Sequence, residues 1–101
     1  MTNVTRYTDH IPMLVLRIKR YTQALDRGKH ALDTEHLVYK SLHLAQKHGV
    51  DVAMLCDLTS RLVTEPARGV CMDFAKEAMD GMDFTETYKK FWKSENENSE
   101  T

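Results

Sequence analysis

Residues 9–27 read DHIPMLVLRIKRYTQALDR, and this stretch decides the fold. Its apolar residues recur at steps of three and four, the spacing that places side chains on one face of an α-helix. Thr8 or Asp9 can cap this helix, and Pro12 falls within its first turn, where a missing backbone N–H costs little. Gly28 is placed to end the helix. The predicted core face consists of Ile11, Leu14, Val15, Ile18, Tyr21 and Leu25.

Further helical segments follow, separated by glycine or proline. Their predicted bounds are Asp33 or Thr34 to Gly49, Asp51 to Glu65-Pro66, Ala67 to Asp80 with Gly81 as the stop, and a short last helix capped by Asp83. The side chains expected to face the core in these segments include His48, Leu62, Phe84, Tyr88 and Phe91. No segment alternates with a period of two for long enough to form a sheet. The sequence therefore predicts an all-α fold, a compact bundle of four to five short helices with a disordered acidic C-terminal tail.

One domain accounts for the whole length of 101 residues. Apolar residues make up 42% and charged residues 29% of the sequence, which is the balance of a globular protein. Residues 94–101 hold only polar and acidic side chains, a composition that cannot bury a core. We expect a single helical domain over 1–93 and a disordered tail over 94–101.

Charge is unevenly distributed along the chain, although the net charge is only −1. Residues 1–30 hold six Lys or Arg and two Asp, a net charge of +4. Residues 67–101 hold five Lys or Arg and eight Asp or Glu, a net charge of −3. Such an asymmetry can orient a protein toward a partner through its electric field.

The patterns that catalysis, metal binding or a membrane would require are missing from the sequence. No run approaches the ~20 apolar residues of a membrane span, and the N-terminus lacks the apolar region of a signal peptide. There is no glycine-rich phosphate loop, no nucleophile elbow and no His-x-x-x-His or Cys-x-x-Cys pair. Cys56 and Cys71 make no disulfide framework. We expect no catalytic residue, metal, cofactor or membrane partner, in a cytoplasmic protein that is not an enzyme.

Two outward stripes are the candidate partner-binding residues. They are Met13, Leu16, Arg17, Arg20, Ala24 and Arg27 on the first helix, and His36, Lys40, His43 and Lys47 on the second. If the two helices lie side by side, the stripes merge into one cationic surface with Met13 and Leu16 set within it. Apolar side chains ringed by arginine are typical of protein contacts, although charged stripes are also routine solvated faces. Reversing the charge of Arg17 and Arg20 together is expected to weaken partner binding and to leave thermal stability nearly unchanged.

Residues 44–58, LAQKHGVDVAMLCDL, resemble the skeleton of a helix-turn-helix unit. Small Ala45 stands four residues before the turn glycine Gly49, as a close crossing of two helices requires. The resemblance implies a nucleic-acid-binding regulator. The surface that would face DNA argues against that function, because it offers two carboxylates and no cation before Arg61. That surface would present Asp51, Val52, Ala53, Cys56, Asp57 and Ser60.

The leading hypothesis is a small non-enzymatic protein that binds a protein partner and inhibits or modulates it. In style the chain is similar to short phage and mobile-element proteins that redirect a host machine, such as anti-defence proteins. The alternative is a helix-turn-helix-like regulator that meets nucleic acid through the basic first helix. A homodimer that uses Phe91, Trp92 and methionine surface is a further alternative. Met54 and Met72 lie off the core stripes of their helices, which favours a place on a contact surface.

Overall fold

A computed structural model of the chain describes the backbone of residues 2–90 and the side chains of residues 7–90. Four helices have defined bounds: α1 Thr2–Arg27, α2 Ala31–Lys47, α3 Val52–Ser60 and α4 Ala67–Met79. A fifth, α5, covers residues 84–90 at the end of the described part. No described residue lies in a strand, so the prediction of an all-α helical bundle is confirmed. Phe91, Trp92, the tail 94–101 and the expected domain boundary after residue 93 lie outside the described residues.

The first helix is longer than predicted, because it begins at Thr2 and not near Asp9. Pro12 therefore lies inside the helix and not in its first turn. A proline deprives the helix of one backbone hydrogen bond, whereas the apolar face continues on both sides of it. Tyr7 and Ile11 both pack against the core and carry that face toward the N-terminus.

The predicted helix breaks at glycine and the predicted cap at Asp51 are confirmed. Gly28 ends α1 in the left-handed conformation, with φ of 68°. Gly49 follows α2 with φ of 80°, and the side chain of Asp51 accepts a hydrogen bond from the backbone N–H of Met54 at 3.3 Å. α2 begins at Ala31, slightly earlier than the sequence indicated.

The core is an apolar cluster to which every helix contributes. Its fully buried members include Leu14 and Ile18 of α1, Val38 and Leu42 of α2, Leu55 of α3, Cys71 of α4 and Phe84 of α5. Phe84 was expected to face the core, and this is confirmed. None of the helices in the described part of the chain is long and apolar enough to cross a membrane.

Four side chains are placed differently from the prediction. Leu25 is 49% exposed in the last turn of α1, and Leu62 is 61% exposed just beyond the end of α3. His48 is exposed as the C-cap of α2. Ala24, expected on the outer stripe, is buried beside the α1–α2 turn. The backbone N–H groups of Gly28 and Lys29 both donate to the Ala24 carbonyl.

Two packing relations position the candidate site. α1 and α2 lie antiparallel, since His10 meets His48 at one end and Tyr21 bonds Glu35 toward the other. α5 runs along α2, beginning where the Phe84 backbone N–H donates to the side chain of Gln46 at 3.0 Å.

Candidate partner-binding site

The outward side of α1 exposes apolar and cationic side chains together. Met13 is 48% exposed and Leu16 is 42% exposed, each far more open than a core residue. Arg20 and Arg27 are exposed on the same side of the helix, as their spacing of seven residues requires. We call Met13, Leu16, Arg20 and Arg27 the α1 face.

Arg17, predicted for the same stripe, is half-buried and bonded to α2. Its guanidinium donates to the Ser41 hydroxyl at 2.7 Å and to the Leu37 carbonyl at 3.3 Å. Burial lowers the pKa of Arg17, and the nearby Tyr88 opposes that shift. Arg17 thus joins two helices, and reversing its charge would disturb the fold. The expectation of unchanged stability on reversing Arg17 together with Arg20 is corrected for this reason.

The stripe on α2 is divided by α5. The ring of Tyr88 lies 5.0 Å from the rings of both His36 and His43, centroid to centroid, and is stacked on the second. The Nδ1 atom of His43 also lies 3.0 Å from the Thr85 hydroxyl. Lys40 and Lys47 remain exposed. The structure therefore does not merge the two predicted stripes into one open surface.

The surroundings of His43 change its pKa. Burial under α5 lowers this pKa, and the cations Lys47 and Lys89 lower it further, whereas Asp83 raises it. These groups line a wide groove of about 610 Å³ between α2 and α5. Because Asp83 accepts hydrogen bonds from the first N–H groups of α5, its carboxylate is already occupied as a helix cap.

A second, smaller concavity lies at the α1–α2 turn, and four basic residues line it. It has a volume of about 250 Å³ and is lined by Arg20, Arg27, Lys29 and His30, with Gln23 and Thr34. We call it the basic notch. Within residues 7–90, no ion pair joins Arg20, Arg27 or Lys29 to a carboxylate. His30 lies 3.7 Å from a carboxylate oxygen of Asp33.

The notch extends the α1 face beyond the predicted residues. Arg20 and Arg27 belong to both, whereas Lys29 and His30 were missed by the sequence analysis. A usable signal was present, because Lys29 and His30 directly follow the turn glycine Gly28. A turn at glycine folds the following residues back beside the last turn of a helix.

A third concavity, of about 240 Å³, lies among α1, α2 and α4. We call it the tyrosine–carboxylate cavity, and its lining includes Tyr21, Tyr39, Phe74, Glu35, Asp73 and Glu77. The Tyr21 hydroxyl donates to Glu35 at 3.0 Å, and the Tyr39 hydroxyl donates to Glu77 at 3.0 Å. No sequence pattern indicated these pairs.

Burial sets the pKa values in this cavity. Together with the hydrogen bond to Glu35, it raises the pKa of Tyr21 to about 12. The pKa of Tyr39 is raised further by burial and by the charge of Glu77. Burial also raises the pKa of Glu77, against the opposing effect of the Tyr39 hydrogen bond.

The described residues hold no metal-ligand cluster, and their two cysteine thiols are buried. Among them, no group of three His, Cys, Asp or Glu side chains is arranged to hold a metal ion. Cys56 and Cys71 are free and buried, and burial raises the pKa of their thiols to about 12 and about 11. Such thiols carry little of the thiolate that nucleophilic attack requires.

The helix-turn-helix-like corner does not present the surface that the sequence suggested. Val52, Cys56 and Ser60, which this corner would present to DNA if it worked as a helix-turn-helix, are all buried. α3 packs against α4, and the Arg68 guanidinium donates to the Ser60 carbonyl. Met54 and Met72 are exposed, which agrees with their position off the core stripes.

Compared with known proteins, the chain matches no family model, no curated protein sequence and no solved structure.

Proposed function

We propose that this chain is a small non-enzymatic protein that binds a protein partner through the α1 face and thereby inhibits or modulates it. One observation carries the proposal: Met13 and Leu16 stand exposed on the same side of α1 as Arg20, which no described carboxylate pairs. Apolar side chains supply contact area, and arginine can stack or pair with a carboxylate of the partner.

The proposal also covers the location of the protein, which is the cytoplasm, and its class, which is that of phage-like inhibitors. Buried, unpaired Cys56 and Cys71 suit a reducing cytoplasm. A small chain that works by occupying a surface also suits a phage-like or mobile-element inhibitor, as the sequence suggested.

A pair of matched substitutions tests the partner-binding face. Met13 on α1 and Met72 on α4 are almost equally exposed, at 48% and 47%, and both lie inside helices. Met13→Asp should therefore change stability about as much as Met72→Asp. We expect a partner isolated from native-host lysate, and then purified, to lose at least roughly tenfold in affinity only with Met13→Asp.

The same experiment separates the alternatives. Affinity lost with Met72→Asp but kept with Met13→Asp would assign binding to the methionine surface of α4. Recovery of nucleic acid in place of protein, with affinity falling steeply as salt rises, would support the regulator alternative. In either case the α1 face would not be the protein-binding surface.

A further inference from the structure

We propose that the basic notch binds a single phosphoryl group carried by a side chain of the protein partner. This inference rests on the proposed function, since it names the chemistry by which the α1 face recognises its partner. The observations that carry it are the charge of the notch, its size and the kind of donors that line it.

The positive charge of the notch favours the binding of an anion. Arg20, Arg27 and Lys29 bring three positive charges to one concave space, and no described carboxylate forms an ion pair with any of them. Like charges gathered in this way repel one another, and a bound anion relieves that repulsion. By contrast Arg61, the exposed C-cap of α3, already has the carboxylate of Asp57 at 3.1 Å.

The size of the notch limits what the anion can be. Its volume of about 250 Å³ is below the ~300–1,000 Å³ typical of pockets for drug-sized molecules and cofactors. It suits one charged group on a side chain better than a nucleotide or another extended cofactor. Small Ala24, buried under the α1–α2 turn, also lines this space and so leaves room for that group.

The donors favour a phosphoryl group over a carboxylate. A phosphorylated side chain carries about −1.5 to −2 charges and three acceptor oxygens, whereas a carboxylate carries one charge and two oxygens. Arg20 and Arg27 each offer the planar fork that binds phosphate oxygens in pairs, and Lys29 adds a point charge. Three cations around one site therefore match a dianion better than a monoanion.

A capped Gly-phosphoserine-Gly tripeptide is the direct probe. We would titrate it into the full ¹⁵N-labelled chain at constant ionic strength and follow the backbone amide signals. The unphosphorylated tripeptide and inorganic phosphate are parallel titrations. We expect saturable shifts centred on Gly28, Lys29 and His30 with the phosphorylated tripeptide and with inorganic phosphate. The unphosphorylated tripeptide should give none.

Variants test whether the notch is the site. Arg20→Gln and Arg27→Gln should each weaken the phosphorylated tripeptide about tenfold, the usual effect of losing a charge-assisted hydrogen bond. Lys19→Gln is the matched control, since it removes the same charge from an exposed position of α1 outside the notch. It should change the affinity less than twofold. Equal weakening by Lys19→Gln, or shifts that never saturate, would overturn the proposal.

The same titration distinguishes other ligands of the notch. If duplex DNA displaced the tripeptide through Arg20 and Arg27 and bound much more tightly, the notch would be a nucleic-acid contact. If affinity for the tripeptide rose tenfold in a chain shortened to residue 93, the acidic residues of 94–101 would be its occupant. Each result would overturn the proposal. Failure of the proposed function is read separately from Met13 and Met72, which do not line the notch.

Discussion

The basic notch and the tyrosine–carboxylate cavity are nearly equal in size, at about 250 and about 240 Å³, and α1 and α2 contribute to both. They differ in how their polar groups are satisfied. In the cavity, each tyrosine hydroxyl donates to a carboxylate of another helix. Tyr21 of α1 donates to Glu35 of α2, and Tyr39 of α2 donates to Glu77 of α4. In the notch, Arg20, Arg27 and Lys29 have no such partner among the described residues.

The contrast separates a structural concavity from one that can bind. Polar groups that leave water must find partners inside the protein, and the cavity supplies them within the chain. Its bonds therefore contribute to the fold and leave little for a ligand. The exposed cations of the notch keep their hydration in the free protein, and an anion from outside can replace that water. Substitutions in the cavity should therefore change stability, and substitutions in the notch should change binding.

The largest expected effect is on stability, at Tyr39 in the cavity. Tyr39 is buried and packs edge-on against Phe74, with ring centroids 5.3 Å apart. Tyr39→Ala should lower the free energy of unfolding by about 3–5 kcal/mol, as the loss of a buried aromatic ring usually does. Urea unfolding followed by circular dichroism would measure it. Tyr39→Phe keeps the ring and should lose only about 1.5–3 kcal/mol, for the hydrogen bond to the Glu77 carboxylate. Equal losses in the two variants would mean that the ring contributes little.

A smaller effect distinguishes two arginines of α1 that the sequence placed together. Arg17→Ala should lower the free energy of unfolding by about 1–3 kcal/mol, because it leaves buried Ser41 without its charged donor. Arg20→Ala should stay within about 0.5 kcal/mol of wild type, as exposed substitutions do. The two free energies would come from the same urea titrations. If Arg20→Ala proved as destabilising as Arg17→Ala, the notch would be part of the structural framework.

The side chains of α1 show both where prediction from sequence succeeds and where it stops. The α1 pattern predicted a buried Leu14 and Ile18 correctly, because a helical face depends only on spacing within one element. Spacing alone also placed Arg17 and Arg20 on the same stripe. It could not show that Arg17, at the edge of that stripe, reaches across to α2. That contact depends on how two helices are oriented, which the periodicity of one helix does not encode.

The pairs that complete the tyrosine–carboxylate cavity were beyond prediction for the same reason. Tyr39 and Glu77 are separated by 38 positions in sequence, and nothing in either local pattern links them. His43 was predicted to face outward, and its spacing was interpreted correctly, but α5 lies over it. Among the residues that the sequence did not indicate, Lys29 was the easiest to predict, since the turn at Gly28 was predicted. That turn brings Lys29 beside Arg27 in the lining of the notch.

The smallest expected effect is a difference in alkaline stability between the two concavities. Burial and the bond to Glu35 raise the pKa of Tyr21 to about 12, whereas an unfolded tyrosine ionises near pH ~10. Between these values the unfolded chain has lost the Tyr21 proton and the folded chain has kept it. The stability that this group contributes is thus fully present below pH ~10 and is lost as the pH rises through about 12. Urea titrations at a series of alkaline pH values should show a shallower decline for Tyr21→Phe than for wild type. Arg20→Gln should decline as wild type does, because Arg20 lines the notch and not the cavity that holds Tyr21. A Tyr21→Phe curve parallel to wild type would show that the cavity does not raise the pKa of Tyr21. The contrast between the cavity and the notch would then rest on hydrogen-bond geometry alone.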